Sequence, residues 1–204
     1  MPLVIGKASQ NIFIKVYVLL MLSFFFWVFT LCGVVVLGIG PAYRTIAEVF
    51  DQNQWEYRQY HFKDVWAVYK KVFKQANLEF WGFAAVSAIL GYNLYLALQL
   101  KVIWMLVITF ILIFALLLVA SLWLFLNGVH SHYDVSFKPA LRLAAGQFFA
   151  SFPRLLLFWA GLIIIIVVSA KWPGLILFLS VPGVLVWTSY MSTKWYKFVD
   201  KQVK

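Results

Sequence analysis

The amino-acid sequence predicts an all-α membrane protein whose chain crosses the bilayer about five times. Of its 204 residues, 64% are hydrophobic and 12% are charged, whereas a soluble domain has about 45–50% apolar and about 25% charged residues. Several uncharged runs reach the roughly 20 residues that a helix needs to cross the hydrocarbon core. An excess of apolar residues on this scale exceeds what the interior of a single small domain can bury. Lipid is therefore the predicted surroundings of much of the surface.

Five apolar runs are interpreted as spanning helices. They are predicted, within a single membrane domain of residues 1–204, at residues 14–38, 79–99, 103–127, 151–170 and 174–194. The apolar run of residues 80–127 is too long for one span, so Gln99 and Lys101 are predicted to mark a tight hairpin. Residues 171–174, which include a proline and a glycine, predict a second turn. The first run is longer than the core of a signal peptide, so we expect no cleaved leader.

The predicted loops differ in their content of basic residues. One side has thirteen: Arg44, Arg58, Lys63, Lys70, Lys71, Lys74, Lys138, Arg142, Arg154, Lys194, Lys197, Lys201 and Lys204. The other side has four: Lys7, Lys15, Lys101 and Lys171. Cytoplasmic loops are enriched in lysine and arginine. We therefore expect a multi-pass plasma-membrane protein with its N-terminus outside and its C-terminus in the cytoplasm.

Two segments have the pattern of amphipathic helices. Apolar residues recur at helical spacing in residues 62–76, and the lysines lie largely off that stripe. Residues 137–149 have a similar pattern. Both helices are expected on the inner leaflet, where a partner protein would dock. The candidate docking residues are Phe62, Trp66, Tyr69, Phe73, Lys70, Lys74, Phe137, Leu141, Arg142 and Phe148.

The same two segments predict a divergent internal repeat. Phe137 corresponds to Phe62, and Phe148 corresponds to Phe73. On this interpretation a span, an amphipathic helix and a second span are repeated in parallel, an architecture known among membrane proteins. Chance similarity between two apolar amphipathic segments is the alternative.

Patterns that support catalysis are mostly absent from the sequence. It has no Walker A loop, G-x-S-x-G elbow, H-E-x-x-H pair or C-x-x-C pair. We therefore expect no enzyme and no catalytic, cofactor or metal site. His130 and His132 could ligate a metal with Asp134, but a polar loop at the cytoplasmic interface is the favoured interpretation. The net charge of +10 is interpreted as an orientation signal and an attraction to anionic lipid, not as a nucleic-acid site.

Asn93 and Thr109 are the candidate polar residues within the membrane. Burying such groups in lipid is costly, and interhelical hydrogen bonding is favoured over a substrate contact for Asn93. No Asp, Glu, Lys or Arg lies near the centre of a predicted span, which disfavours a proton-coupled carrier.

Gly38, Gly40 and Pro41 are the candidate residues of a turn that ends the first span. Glycines permit the turn, and proline suits the first turn of a new helix. The following residues, 42–50, are predicted to form a short helix at the cytoplasmic surface.

Three runs together resemble the YesL-like family of bacterial integral membrane proteins. They are GIGPAYRTIAEVF, FKDVWAVYKKVFKQANLEFW and YDVSFKPALRLAAGQFFASFPRLLLF. That family has a G-P-A turn after its first span, and similar blocks precede its second and fourth spans. Val72 stands where the family usually has asparagine. The resemblance extends over nearly the whole chain, and it implies a membrane protein associated with carbohydrate ABC importers.

The function that the resemblance implies is an accessory membrane subunit of a bacterial carbohydrate ABC importer. Its partners would be membrane lipid and the permease subunits, and homo-oligomerisation is left open. A self-sufficient small-solute carrier or channel is one alternative, and a membrane-bound regulator of sugar uptake is another.

Overall fold

The computed structural model describes residues 2–100 and 102–203, with side chains over residues 10–100 and 102–202. These residues form helices and connecting turns, without a strand, which confirms the all-α class. The helices are α1 Pro2–Cys32, α2 Ile39–Asn53, α3 Phe62–Gln99, α4 Ile103–His132, α5 Phe137–Phe149, α6 Phe152–Lys171 and α7 Val181–Val203. A 3-10 turn at Tyr57–Gln59 precedes α3, and a π-helical turn at Ile176–Ser180 precedes α7.

Five of these helices are long and apolar enough to cross a membrane, as predicted. The segments are Gln10–Cys32, Phe62–Gln99, Ile103–His132, Phe152–Lys171 and Ile176–Gln202. The third and fourth start within one residue of the predicted spans, and the last extends beyond residue 194. Lys101 and Lys204, both used in the prediction, lie outside the described residues, as does the side chain of Lys7.

The predicted division between an amphipathic helix at 62–76 and a span at 79–99 is wrong. α3 is one helix of 38 residues, about 57 Å long at 1.5 Å per residue. No proline or glycine lies between residues 62 and 81, so nothing in the sequence breaks the helix there. Its first turns pack against α1 and α2, and its later turns continue as the span.

The first span ends six residues earlier than predicted. The amide of Val35 donates to the carbonyl of Thr30 (2.9 Å), and the amide of Val34 donates to that of Leu31 (3.0 Å). This pair of bonds is a Schellman motif, in which the residue after the helix cap adopts a left-handed conformation. Val34 has that conformation, with φ 56°. Gly38 then precedes α2.

Helix α2 is not the predicted surface helix, because it returns through the interior of the bundle beside α1. At its far end the ammonium of Lys15 on α1 lies 5.5 Å from the ring of Trp55, two residues after α2. α3 then runs antiparallel to α2, and Lys71 Nζ lies 3.6 Å from Glu48 Oε1. All but one of the residues 40–50 are buried. Protein, rather than water, surrounds α2.

Contacts among the later helices give their directions. The indole of Trp187 on α7 donates to the carbonyl of Phe158 on α6 (3.0 Å), and Ser169 and Ser180 are hydrogen-bonded (2.6 Å). α6 and α7 are therefore antiparallel. At the end of α4 the ring of His132 stacks on that of Tyr196 (4.6 Å), so α7 ends beside the end of α4. α1, α2, α3, α4, α6 and α7 thus alternate in direction.

This alternation places the two ends of the membrane domain on the same side. Lys15 contacts Trp55, whose ring lies 5.2 Å from that of Phe50. Phe50 and Tyr196 line one small cavity. The start of α1 and the end of α7 therefore meet at one end of the bundle. The sequence prediction missed the return through α2.

The internal repeat has a local counterpart in the fold. Phe62 and Phe137 are the first residues of α3 and α5, respectively. With the offset of 75 that aligns them, the buried Val65 and Tyr69 of α3 correspond to the buried Ala140 and Ala144 of α5. The spans before these helices do not correspond, because α1 runs with α3 whereas α4 runs against α6. A full repeat of span, amphipathic helix and span is therefore not present.

Candidate functional site

A buried ionic cluster joins α2, α3 and α4. The guanidinium of Arg44 donates through Nη2 to Glu79 Oε2 and through Nε to Asn127 Oδ1 (2.7 Å). The amide of Gln75 donates to Glu79 Oε1 (2.8 Å), and His130 Nε2 lies 3.4 Å from the same oxygen. Arg44 and Glu79 are 4% and 7% exposed. Both carboxylate oxygens are thus engaged inside the protein.

Each member of the cluster is positioned by a helix, and the charges offset one another. The positive charge of the buried Arg44 guanidinium is balanced by the Glu79 carboxylate. Asn127 has its own anchor, because its amide donates to the carbonyl of Trp123 one turn earlier (2.7 Å). Removing one charge of such a pair leaves the other buried without compensation, which costs about 3–5 kcal/mol. The cluster therefore fixes the position of α2 against its neighbours.

Sequence reasoning missed this cluster. The predicted second span, residues 79–99, begins at Glu79, and no ionisable residue is expected near a span centre. Glu79 in fact lies within the long helix α3 and is buried. A signal was present, because Arg44 and Glu79 are isolated charges of opposite sign beside apolar runs. Their pairing across 35 positions depends on α2 returning through the bundle, which no local pattern shows.

The two histidines occupy the last turn of α4 rather than a loop. His130 faces Glu79, whereas His132 Nδ1 lies 3.3 Å from Asp51 Oδ2, so the two side chains have different partners. No group of three residues that could hold a metal occurs among the residues described. Nearby, burial and a hydrogen bond to Asp200 raise the pKa of Tyr133. At this end of the bundle, polar contacts join α2 to α4 and α4 to α7.

The apolar stripe of the first predicted docking segment is used within the chain. The hydroxyl of Tyr69 donates to the carbonyl of Phe29 on α1 (3.0 Å), and the ring of Trp66 stacks on Phe29 (5.7 Å). Phe73 packs edge-on against Tyr69 (5.4 Å). Phe62 keeps half of its surface exposed. The apolar face therefore docks on α1, which leaves little of it for a partner protein.

The second predicted docking segment is also largely engaged. Phe148 is buried and contacts Phe114 of α4 (6.0 Å between ring centres), and Leu141 is half-buried against the core. Phe137 and Arg142 are exposed, as are Lys70 and Lys74 of the first segment. What these segments present outward is mainly charge.

The predicted polar residues of the membrane lie on the α3–α4 hairpin. The amide of Asn93 donates to the carbonyl of Ile89 in its own helix (2.8 Å), and its side chain is exposed. The interhelical bond expected for Asn93 is therefore not formed within this chain. Thr109 is half-buried and donates to Met105 one turn earlier (2.8 Å). Each side chain donates a hydrogen bond to a carbonyl in its own helix. Only Asn93 has an exposed side-chain amide.

The far part of this hairpin, residues 84–99 and 102–112, is named here the distal hairpin. Between residues 80 and 120 the only buried side chain among the described residues is that of Ala97. Large apolar side chains point outward, including Trp104 at 74% and Phe110 at 66% exposure. The two helices pack on each other and present their remaining surface to the surroundings.

The predicted turn residues have different roles. Gly38 lies at the start of α2, where a Cβ would collide with the backbone of Thr30. Gly40 and Pro41 are in the first turn of α2 rather than in the turn itself. A Cβ on Gly40 would come within 2.6 Å of the Cβ of Phe80. Gly40 thus permits the close packing of α2 on α3.

Residues 19–94 match the family model described as "Protein of unknown function, DUF624". YesL-like proteins belong to that family, so the resemblance is confirmed over this segment. The segment comprises the second half of α1, all of α2 with Arg44, and most of α3 with Glu79. No curated protein and no solved structure matches the chain.

Proposed function

From the membership of residues 19–94 in the DUF624 family, we propose that this chain is an accessory membrane subunit that binds the permease subunits of a bacterial carbohydrate ABC importer. The link to carbohydrate import rests on the resemblance to YesL-like proteins and is an association, not a chemical argument. The structure adds a surface through which such a subunit could bind another membrane protein.

Asn93 is the observation that carries the proposal. Its side chain is exposed on the distal hairpin, and among the described residues none donates to its Oδ1 atom. Polar side chains in spanning helices are uncommon facing lipid, and they frequently hydrogen-bond to a neighbouring helix. A helix of a permease subunit would supply a donor to that amide. Apolar residues such as Trp104 would extend the contact.

The structure moves the proposed docking surface away from the amphipathic helices. The apolar residues Tyr69 and Phe148 are buried inside the chain, so they cannot contact a partner. The distal hairpin keeps its apolar surface exposed, and lipid or protein must cover it. The lysines of α3 remain at the surface and could contribute electrostatic contacts at the membrane boundary.

Copurification tests the proposal. The chain is tagged, membranes from cells that express the whole locus are solubilised gently, and the recovered proteins are identified. We expect the permease subunits to be recovered in defined proportion. Recovery of the tagged chain by itself, with the permeases present in the membrane, would contradict the proposal.

A substitution in the hairpin locates the contact. Asn93→Leu removes one interhelical hydrogen bond, which is worth about 0.6 kcal/mol on average and up to about 1.7. Permease recovery should fall about threefold or more. Thr109→Val is the matched control, because the half-buried Thr109 hydroxyl bonds within its own helix and presents no amide outward. Equal recovery with both variants would show that Asn93 is not at the contact.

A carrier function is the second candidate, and the buried ionic cluster favours it. Intramembrane ionisable groups mark transport and proton paths in many membrane proteins. It ranks second because Arg44, Gln75 and His130 already surround the Glu79 carboxylate. Solute uptake by vesicles that contain only this protein, abolished by Glu79→Gln, would establish it. Absence of flux for sugars and ions would remove it.

For orientation, we propose that both ends of the membrane domain are cytoplasmic. The end of the bundle where α1 starts and α7 ends has Lys15, Arg58, Lys194, Lys197 and Lys201, and positive charge favours the cytoplasmic side. With Cys32 replaced by serine, single cysteines at Gln10 and Lys197 should react with an impermeant maleimide only after permeabilisation. A cysteine at Leu100, between α3 and α4, should react in intact cells. Labelling of the Gln10 position from outside would contradict this orientation.

A further inference from the structure

A cavity opens along α3 beside the buried ionic cluster. Its volume is about 490 Å³, and its walls come from α3, α4 and the first residue of α5. The lining residues are Gln75, Leu78, Glu79, Gly82, Phe83, Val86, Val119 and Phe137. Sites of about 300–1,000 Å³ are typical for small-molecule ligands. The cavity is open to the surroundings, so a long narrow ligand can enter from the side.

The lining residues form a continuous stripe. Gln75, Leu78, Gly82 and Val86 recur at the three- and four-residue spacing that places side chains on one helix face. Gly82 is part of the wall, and a Cβ built on it meets nothing within 4 Å. The one acidic group in the wall, Glu79, forms an ion pair with Arg44 of α2, which does not line the cavity. The cavity therefore presents an apolar surface.

Positive charge lies at one end of this stripe. Lys71 and Lys74 precede Gln75 and Leu78 by one helical turn. The side chain of Lys71 is 69% exposed and lies 3.6 Å from Glu48, whereas Lys74 is exposed. Lys138 follows Phe137 at the start of α5, on the opposite side of the cavity. Each of the three lysines is thus a neighbour, by one helical turn or by one residue, of a residue that lines the cavity.

We propose that this cavity binds one acyl chain of an anionic phospholipid, with the phosphate headgroup held by Lys71, Lys74 and Lys138. An apolar channel with basic residues at one end matches the two parts of such a lipid. Basic pockets between spanning helices bind anionic headgroups at the cytoplasmic side of membranes. A protein segment would have no need of the adjacent cationic end.

The site is distinct from the proposed permease contact. Asn93 lies seven residues, or two helical turns, beyond Val86 on α3. Lipid binding can be measured on the purified chain without a permease, so its test does not depend on the permease proposal. A single lipid at this position would occupy the inner leaflet when the start of α3 is cytoplasmic.

Native mass spectrometry of the full-length, delipidated chain in mild detergent tests the proposal. The chain is titrated with dioleoyl phosphatidylglycerol and, separately, with dioleoyl phosphatidylcholine. We expect one phosphatidylglycerol to bind at least tenfold more tightly than phosphatidylcholine, since each lysine near a membrane surface contributes roughly fivefold to binding of anionic lipid. Equal binding of the two lipids would overturn the proposal.

Two pairs of variants separate the headgroup contact from the acyl-chain contact. Lys74→Gln should weaken phosphatidylglycerol binding roughly fivefold without changing phosphatidylcholine binding. Its matched control, Lys194→Gln, removes an exposed lysine of α7. Gly82→Leu fills the channel and should weaken binding of both lipids. Its control is Gly91→Leu, at a glycine of α3 that also has open space around it but does not line the cavity.

The glycine pair also protects the test against misfolding. A Cβ at either position meets nothing within 4 Å, and the thermal midpoints of the two leucine variants should agree. Unchanged lipid binding by folded Gly82→Leu would place the lipid elsewhere and overturn the assignment. Loss of binding in both glycine variants would do the same.

Discussion

Helix α2 and the distal hairpin both have large apolar side chains, but these side chains lie in opposite environments. All but one of the residues 40–50 are buried in contacts with other helices. In the apolar 18-residue stretch of α4 no residue is buried, whereas 33% of the residues in the apolar stretch of α1 are. Hydropathy alone does not distinguish a helix that packs inside the protein from one that faces outward.

The polar residues of the two regions differ in the same way. In α2 the charge of Arg44 is matched inside the chain by Glu79 and Asn127. In the hairpin, Asn93 has one bond to its own helix and no partner on another helix among the described residues. A buried polar group whose hydrogen bonds are all made within the chain needs no further partner. An exposed amide on an apolar hairpin indicates a surface that binds another molecule.

The largest expected effect comes from unpairing the interior cluster. Glu79→Leu leaves the buried Arg44 guanidinium without its counter-charge, and the free energy of unfolding should fall by about 3–5 kcal/mol. Denaturation of the purified chain in detergent micelles would measure this loss. If α2 were instead a solvated surface helix, the loss would be below about 1 kcal/mol.

Two controls sharpen that result. The double variant Arg44→Met with Glu79→Leu replaces the pair by apolar groups and should recover most of the stability. Lys71→Gln breaks the pair with Glu48 at the surface, where Lys71 is 69% exposed, and should cost less than about 1 kcal/mol. A double variant as unstable as Glu79→Leu would show that the charge pairing is not what Glu79 contributes.

A smaller effect is expected where α2 packs on α3. Gly40→Ala places a Cβ within 2.6 Å of the Cβ of Phe80, and such overpacking typically costs about 1–3 kcal/mol. The same change at Gly91 of the hairpin meets nothing within 4 Å and should stabilise the helix by about 0.4–1 kcal/mol. Thermal melts of the two variants should therefore shift in opposite directions. If both substitutions shifted the melting temperature in the same direction, the described difference in packing between the two regions would be wrong.

The smallest effect concerns the turn that directs α2 back into the bundle. Val34 has a left-handed backbone with φ 56°, at the position of a Schellman motif that glycine usually occupies. For a residue with a Cβ this conformation costs about 1–2 kcal/mol, so Val34→Gly should raise the stability by about 1 kcal/mol. Val36→Gly, in the same turn, serves as the control and should not stabilise the chain. Destabilisation by Val34→Gly would argue against the turn described.

Much of the helical content follows from local properties of the sequence. The spans α4 and α6 start within a residue of their predicted positions, because apolar runs define both and Pro153 marks the first turn of α6. The aligned Phe62 and Phe137 both begin helices. The similarity between the two sequence segments therefore corresponds to a similarity in their local structure. The continuity of α3 is not evident from the change in composition after residue 76, because one helix can pass from a polar surface into lipid without a break.

The position of α2 could not be predicted in the same way. Its sequence is amphipathic, which fits a membrane surface as well as a protein interior. The choice depends on Arg44 meeting Glu79, and on Asp51 meeting His132, contacts that join residues 35 and 81 positions apart. The meeting of the start of α1 with the end of α7 at one end of the bundle follows from the return of the chain through α2.

Site-specific photo-crosslinking in native membranes tests the contrast most directly. A photoreactive amino acid replaces Tyr92, exposed beside Asn93 on the distal hairpin, or Tyr43, buried in α2. We expect the Tyr92 position to form an adduct with a permease subunit and the Tyr43 position to form none with another protein. Adducts to lipid alone at position 92 would contradict a hairpin that binds a membrane partner.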